Sequence, residues 1–477
     1  MRPDYDLCVI GGGINGAGIA RDAAGRGLSV ILVEAQDLAQ ATSSASTKLI
    51  HGGLRYLEQG AFGLVRHSLI ERDALMRIAP HMVTPLTFVM PHVAGVRPKW
   101  MISLGLWLYD RLAGKKKTLR NSEAVNLASA LVGQSLKPEY KDAFQYADCW
   151  TNDARLVVLN AMDARLRGAE IMTRTACVHL SAVKEHQVWH IKLKDMASGE
   201  GFEISAKKVV NAAGPWVRTV LDGSGIASAQ TPNIRLIKGS HIIVPRLYDG
   251  GHAYLFQQPD KRIVFAIPYE GKFTLIGTTD VPFSGDSLSA VISEQEIEYL
   301  CTAVNRFFKQ QIKAQDVFSS YSGVRALFDD GSGAAQKVTR DYKLITEKIN
   351  GCEILSVFGG KLTTYRVLAL QALEKLFPSA GNENWTAKVP LPGGDIPEGD
   401  VDGFLQTLLS DYPFMDRAVL ERYVRYYGTN ARKLLHGVNS IKDMGRDFGE
   451  GLYDREIFYL IKYEWAKTAD DILWRRT

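Results

Sequence analysis

Near the start of the chain, hydrophobic positions come first as an unbroken block and then at helical spacing. Leu7–Ile10 is a short apolar run, and GGGINGAGIARDAAGRG follows it directly. A continuous apolar block bounded by glycines predicts a buried strand, and the small, helix-forming residues after it predict a tight turn and a helix. Leu28–Val33 repeats the block and predicts a second strand, ending at Glu34. Lys207–Val210 running into NAAGPW at Asn211–Trp216 predicts a buried strand closed by a small-residue turn. SVFGGKLTTYR predicts a strand, a glycine turn at Gly359 and Gly360, and a helix beginning near Lys361–Thr364. Across Lys261–Thr279, RIVFAIPY and FTLIGTTD alternate around a GK break, the pattern of an antiparallel hairpin. From Val389, PLPGGDIPEGD is proline- and glycine-rich and predicts a linker, beyond which helical spacing with many aromatics runs to Thr477. The expected division is 1–387 and a helical unit over 388–477.

Gly11, Gly13 and Gly16 fall at the G-x-G-x-x-G positions. In a Rossmann-type dinucleotide turn the first glycine permits the bend, the second lets backbone approach a pyrophosphate, and the third lets helix and strand pack closely. Ala20 and Ala23 keep that helix face thin. A pyrophosphate would lie against the helix N-terminus, where unpaired N–H groups and the positive end of the dipole stabilise anions. Glu34 is placed to accept from a ribose diol and would repel a 2′-phosphate, which disfavours NADP. An ordinary glycine-rich turn is the plain alternative; the preceding strand, the spaced alanines, Gly27 and Glu34 together argue against it. The fingerprint alone does not separate FAD from NAD. The turn before Lys361 favours FAD, because a helix N-terminus beside a lysine suits the flavin edge that gains negative charge on reduction.

Between these units lies ATSSASTKLIHGGLRYLE, hydroxyl-rich and then broken by glycines around His51, Arg55 and Tyr56. Ser43, Ser44 and Thr47 are candidates to hydrogen-bond a pyrophosphate or a flavin ring, or simply turn residues. His51 is the natural proton acceptor, since imidazole titrates near neutrality. Arg55 offers a planar fork of donors suited to phosphate or carboxylate.

Composition adds limits. The chain has 477 residues, 46% hydrophobic and 23% charged, enough for a packed core and two or three domains. Five well-separated cysteines without a C-x-x-C pair indicate neither a disulfide framework nor a zinc site, and no metal is expected. A net charge of +5 is mild and does not call for nucleic acid. Asp4 and Asp6 precede an apolar run that leads into glycines rather than a cleavage site, so no signal peptide is expected. Charge placement matters more at RPKWMISLGLWLYDRLAGKKKTLR, Arg97–Arg120. Its apolar part, Trp100–Tyr109, gives only ~15 Å of helix against a bilayer core of ~30 Å. Trp100, Leu104, Trp107, Leu108 and Leu112 share one helical face, with Arg97 and Lys99 before and Arg111, Lys115, Lys116 and Lys117 after. Tryptophans flanked by cations describe a helix lying in a membrane interface; a core helix with a solvated basic loop is the alternative.

The strings TSSASTKLIHGGLRYLE, NAAGPW, IRLIKGSH, IGTTD, YSGVRAL, FGGKLTTYR and ADDILWRRT, in this order, closely resemble the bacterial aerobic glycerol-3-phosphate dehydrogenase family across essentially the whole chain. The resemblance implies an α/β fold with α+β elements: a Rossmann-type FAD-binding domain of the D-amino-acid-oxidase/glycine-oxidase type, interleaved with an antiparallel substrate sheet, plus a C-terminal helical domain. It implies oxidation of sn-glycerol 3-phosphate to dihydroxyacetone phosphate by non-covalent FAD, with electrons passed to quinone at the cytoplasmic face of the inner membrane by a peripheral protein, for which a homodimer is a candidate assembly. By the same resemblance Arg55 and Arg325 bind phosphate with Tyr56 beside them, His51 is the base, and Lys238, His241 and Thr279 lie near substrate. Lys361 and Thr363 meet the flavin pyrimidine. The cofactor set then also takes in Ile14, Asn15, Ala35, Thr42, Lys48, Leu49, Gly52, Gly53, Val178, Ala212, Gly214, Trp216, Gly360 and Leu362. A soluble oxidase that reduces oxygen would use the same substrate residues, and an amino-acid oxidase could share the scaffold.

Overall fold

The structure, a computed structural model, describes residues 3–93, 95–114, 118–228, 231–260, 262–329, 342–381 and 383–477. Two sheets organise it. The first joins Cys352–Phe358, Gly201–Asn211, Tyr5–Ile10, Val30–Glu34 and Glu170–Thr173 as parallel neighbours in that order. Lys343–Ile349 adds an antiparallel edge, and the hairpin Thr175–Val183/Val188–Asp195 extends Gly201–Asn211. Helices Ile14–Gly25, Asp153–Leu166 and Tyr365–Leu376 pack on this sheet around one core that includes Val9, Ala20, Leu32, Val157 and Leu368. Parallel strands covered by helices need apolar residues on both faces, which is why these strands read as blocks rather than alternations.

The second sheet is mainly antiparallel and runs Ile234–Pro245, Phe273–Gly277, Ile263–Tyr269, Ala253–Gln257, Val83–Pro91 and Asp142–Thr151, with Ser319–Phe328 paired along Ile234–Pro245. Its strands come from chain segments that alternate with those of the first sheet, so the two are interleaved. The Ile263–Tyr269/Phe273–Gly277 hairpin is the one expected. The helix expected near Lys361 starts later: Leu362–Thr364 is a 3-10 turn and the α-helix begins at Tyr365.

The C-terminal helices enclose their own core, with Leu408, Tyr423, Tyr427, Leu434 and Leu460 buried. PLPGGDIPEGD is not a free linker. Leu391 and Ile396 are buried, Leu391 N–H donates to the Ile78 carbonyl at 2.8 Å, and Thr429 N–H donates to Gly393 at 3.1 Å. Its glycines allow contact rather than slack: a Cβ on Gly393 would sit 2.1 Å from the Tyr427 carbonyl.

Candidate functional site

A cavity of about 1150 Å³ is lined by both sheets. Single-ligand pockets enclose about 300–1,000 Å³, so it has room for a large cofactor and a second molecule. Its floor is the first strand–turn–helix. Gly11 adopts φ +107°, and a Cβ there would stand 2.6 Å from the Ala212 carbonyl. A Cβ on Gly16 would stand 1.9 Å from the Gly11 carbonyl. Only glycine lets strand, turn and helix converge this closely. Ser43 Oγ accepts the Ile14 N–H at 3.1 Å, which lays the hydroxyl loop across the helix N-terminus. Glu34 ends the second strand and accepts Gly12 N–H at 2.6 Å and Gln36 N–H at 2.8 Å. Burial pushes its carboxyl pKa up, against those two backbone bonds. Asn15 donates to the Gly359 carbonyl at 3.3 Å, and its buried Oδ1 has no partner among the described residues.

Gly13, Ala35, Thr42, Ala212, Gly214, Trp216, Gly360, Leu362 and Thr363 complete the floor, with Thr47, Leu49, His51, Gly53, Arg55 and Tyr56 along one side. His51 N–H donates to Thr363 Oγ1 at 3.3 Å, tying that side to the turn after Gly360. Lys361 Nζ lies 3.9 Å over the Tyr56 ring.

The roof is the second sheet, presenting Gly239, His241, Thr278, Asp280, Gly323 and Arg325. Arg325 pairs with Asp280 and donates to Thr278 Oγ1 at 3.3 Å. His241 stacks on Tyr321 at 4.8 Å and its Nε2 hydrogen-bonds Thr47 Oγ1 at 2.9 Å. Burial, and then the charges of Arg325 and Lys48, pull its pKa down to about 3, so the ring is neutral at ordinary pH. Among the described residues no group of three or more His, Cys, Asp or Glu is placed to hold a metal.

The family pattern described as FAD dependent oxidoreductase matches residues 6–366. The chain belongs to that family. This oxidoreductase uses FAD, and the floor fits it: glycines keep side chains out where a pyrophosphate must approach, and the unsatisfied Asn15 oxygen lies beside the Gly359–Gly360 turn. Residues 384–477 match the C-terminal domain of alpha-glycerophosphate oxidase. A glycerol-3-phosphate dehydrogenase of Pseudomonas aeruginosa is 52% identical over 99% of this chain and 91% of its own. A D-erythritol 1-phosphate dehydrogenase of Brucella abortus is 49% identical over 99% and 94%. The solved glycerol-3-phosphate dehydrogenase from Bacillus halodurans, complexed with FAD, superposes with a TM-score of 0.76 at 28% identity, covering 99% of this chain and 86% of that one.

Several expected site residues of this flavoenzyme do not line the cavity. Lys48 turns away into a buried ion pair with Asp153 at 2.6 Å, because a buried ammonium needs a carboxylate. Ser44 is buried below the floor and accepts Trp474 Nε1–H at 3.3 Å. Gly52 N–H donates to the Tyr109 hydroxyl at 2.8 Å, away from the cavity. Gly16 is a spacer between helix and strand, and the Val178 side chain faces solvent while Cys177 lines the cavity. Lys238 and Thr279 point to the far side of the roof, onto Glu296. Thr42 lines the cavity, yet its hydroxyl donates to the Val324 carbonyl at 2.6 Å and so joins floor to roof.

Asp280, the last residue of the IGTTD string but given no role from the sequence, also lines the cavity. Arg97, expected to flank an interfacial helix, stands just before the helix Lys99–Leu112 and also lines the cavity, pairing with Glu58 and donating to Gln257 Oε1 at 3.1 Å. The stretch expected to be interfacial forms this helix, Lys99–Leu112, whose inner face buries Ile102, Leu106 and Tyr109. Trp100, Leu104 and Trp107 stand outward, 68%, 54% and 51% exposed. Leu108 and Leu112 are half-buried, and Lys115, Lys116 and Lys117 lie outside the described residues. No helix among the described residues is long and apolar enough to cross a membrane. Met101, Leu104 and Leu108 also line the cavity, whose apolar arm continues to Phe62 and Phe265.

Proposed function

We propose that this chain oxidises sn-glycerol 3-phosphate to dihydroxyacetone phosphate and passes the electrons to a membrane quinone. The observation that carries the reading is Arg325 facing a dinucleotide floor from the opposite wall of one cavity, with Arg55 and Tyr56 lining the same space. A phosphate dianion is best held by forked guanidinium groups, and those contacts, remote from the reacting bond, fix where the carbinol carbon lies. FAD supplies the acceptor for the hydride that this carbon gives up. His51 is the group we assign to take the hydroxyl proton. His241, neutral and held by Thr47, is suited to a hydrogen bond rather than to accepting charge.

The 49% identity to an erythritol-phosphate dehydrogenase favours a second substrate with the same phosphate end and one more carbinol. Anaerobic mixing of the yellow enzyme with glycerol 3-phosphate, D-erythritol 1-phosphate and glycerol separates these readings. Glycerol 3-phosphate is expected to bleach the flavin fastest and glycerol not to bleach it; bleaching by erythritol phosphate alone would replace the first substrate with the second.

The same reading divides the chain at 387/388 and rests the helix Lys99–Leu112 on the cytoplasmic face of the cell membrane. Its outward tryptophans suit an interface, and the apolar arm of the cavity meets the same helix, so a lipid-dissolved quinone has a path to the site. Replacing Trp100, Leu104 and Trp107 together by serine should weaken binding to anionic liposomes at least about tenfold in a sedimentation assay, each side chain contributing ~1.5–3 kcal/mol when fully buried. Unchanged binding would remove the helix from the membrane reading.

A further inference from the structure

The roof alternates. On Ile234–Pro245, Gly239 and His241 line the cavity, while Lys238 and Ser240 lie on the opposite face; on the loop that follows Phe273–Gly277, Thr278 and Asp280 line the cavity and Thr279 does not. All three rear-facing side chains meet one carboxylate, Glu296 in the helix Glu294–Asn305. Lys238 Nζ lies 2.8 Å from Oε2, while the hydroxyls of Thr279 and Ser240 donate to Oε1 at 2.7 and 2.9 Å. Thr279 Oγ1 also accepts Ser240 N–H at 2.9 Å, which clamps the loop to the strand. Ser240 Oγ contacts Ser322 Oγ at 2.8 Å, bringing in Ser319–Phe328, the strand that carries Arg325. The helix fixes the carboxylate in turn: Ser293 N–H donates to Oε2 at 2.9 Å in a capping box. Glu296 itself is buried and does not line the cavity.

We infer that Glu296 is a positioning residue for substrate binding: it holds Thr278 and Asp280 where they orient Arg325, and Lys238 and Thr279 act through it rather than on the substrate. Among the described residues Arg325 ion-pairs with Asp280 and hydrogen-bonds Thr278, both on this loop. A loop released from behind leaves the guanidinium without a fixed direction, and a bidentate contact to phosphate depends on direction as much as on charge. The inference rests on the proposed phosphate-bearing substrate. Flavin binding is a property of the other wall and should not follow it.

The test uses flavin-loaded Glu296→Ala and Glu296→Gln. Each should retain the wild-type flavin absorbance per chain while KM for glycerol 3-phosphate rises about tenfold or more and kcat changes much less. Inorganic phosphate, titrated against the absorbance of the oxidised flavin, should weaken in parallel, a readout that needs no turnover. Lys238→Met should raise KM alone but add nothing in the Glu296→Ala background, whereas a lysine that touched substrate would add its full effect there. If Glu296→Ala does not accumulate as yellow protein, Thr279→Val and Ser240→Ala carry the same prediction with a smaller rise. Unchanged KM and phosphate affinity in yellow variants, or full additivity with Lys238→Met, overturns the inference. A wild-type enzyme that glycerol 3-phosphate does not reduce defeats the substrate reading instead.

Discussion

The two walls of the cavity are made differently. The floor is backbone: Gly11 and Gly16 bring strand and helix together, Gly12 and Ile14 N–H groups meet Glu34 and Ser43, and few long side chains intervene. The roof is side chain: Arg325, Asp280, Thr278 and His241 project from strands and a loop, Arg325 taking its direction from Asp280 and Thr278, and His241 from Tyr321 and Thr47. A backbone cradle is set as soon as the fold forms and suits a resident cofactor. Side chains in a mutually oriented set can be tuned to the substrate without disturbing that cradle.

The largest expected effect tests this contrast from below. In Gly16→Val a Cβ would be forced to within 1.9 Å of the Gly11 carbonyl, a contact that backbone cannot relieve by rotating a side chain. The expected outcome is protein that is colourless or insoluble, read as flavin absorbance per chain after purification. Normal yellow colour would break the idea that close backbone approach makes the floor.

From above, Arg325→Ala should leave the flavin content at the wild-type level. Losing a charged contact to the substrate phosphate should lower kcat/KM for glycerol 3-phosphate by ~2–4 kcal/mol, roughly 30- to 1000-fold. Loss of flavin together with activity would mean that the walls are not independent.

The floor was legible in the sequence because its determinants are contiguous. Gly11, Gly13, Gly16 and Glu34 lie within one strand–helix–strand unit, and their spacing is the geometry. The roof was legible only as strings similar to a family, since what places a side chain there is register. His241 sits opposite Gly277 on one neighbouring strand and Tyr321 on the other, and Ile237 opposite Arg325. With a side-chain period of two, a cavity-facing His241 sends Lys238 to the other face, a conclusion that needs the register first. The same limit explains Lys48, whose partner Asp153 is remote in sequence. It also explains the C-terminal Arg475 and Arg476, which converge on buried Asp37 just beyond Glu34.

The smallest effect separates the walls by titration. His241 is the roof's buried imidazole, held by burial and then by Arg325 and Lys48 at a pKa of about 3, well under its ordinary value near 6.5. The folded protein therefore resists a proton that the unfolded chain accepts. Between about pH 6.5 and 3 the unfolded state binds more protons, so stability falls as pH is lowered through this window and is unaffected above it. At pH 5 the cost is up to about 2 kcal/mol for such a group. His81 is lowered to about 3 by burial and then by Arg155, and it does not line the cavity, so it serves as a control with the same sign. His241→Phe keeps a ring to stack on Tyr321 and removes the titration. Its loss of unfolding free energy in urea between pH 7 and pH 5 should be smaller than that of the wild type by up to about 2 kcal/mol, and His81→Phe should flatten the same limb equally. Only His241→Phe should also change KM for glycerol 3-phosphate, since only His241 faces the cavity. An acid limb left unaltered by either substitution would mean that both rings take up protons readily in the folded protein. Arg325 would then have a cationic neighbour at low pH in place of the neutral ring that burial enforces.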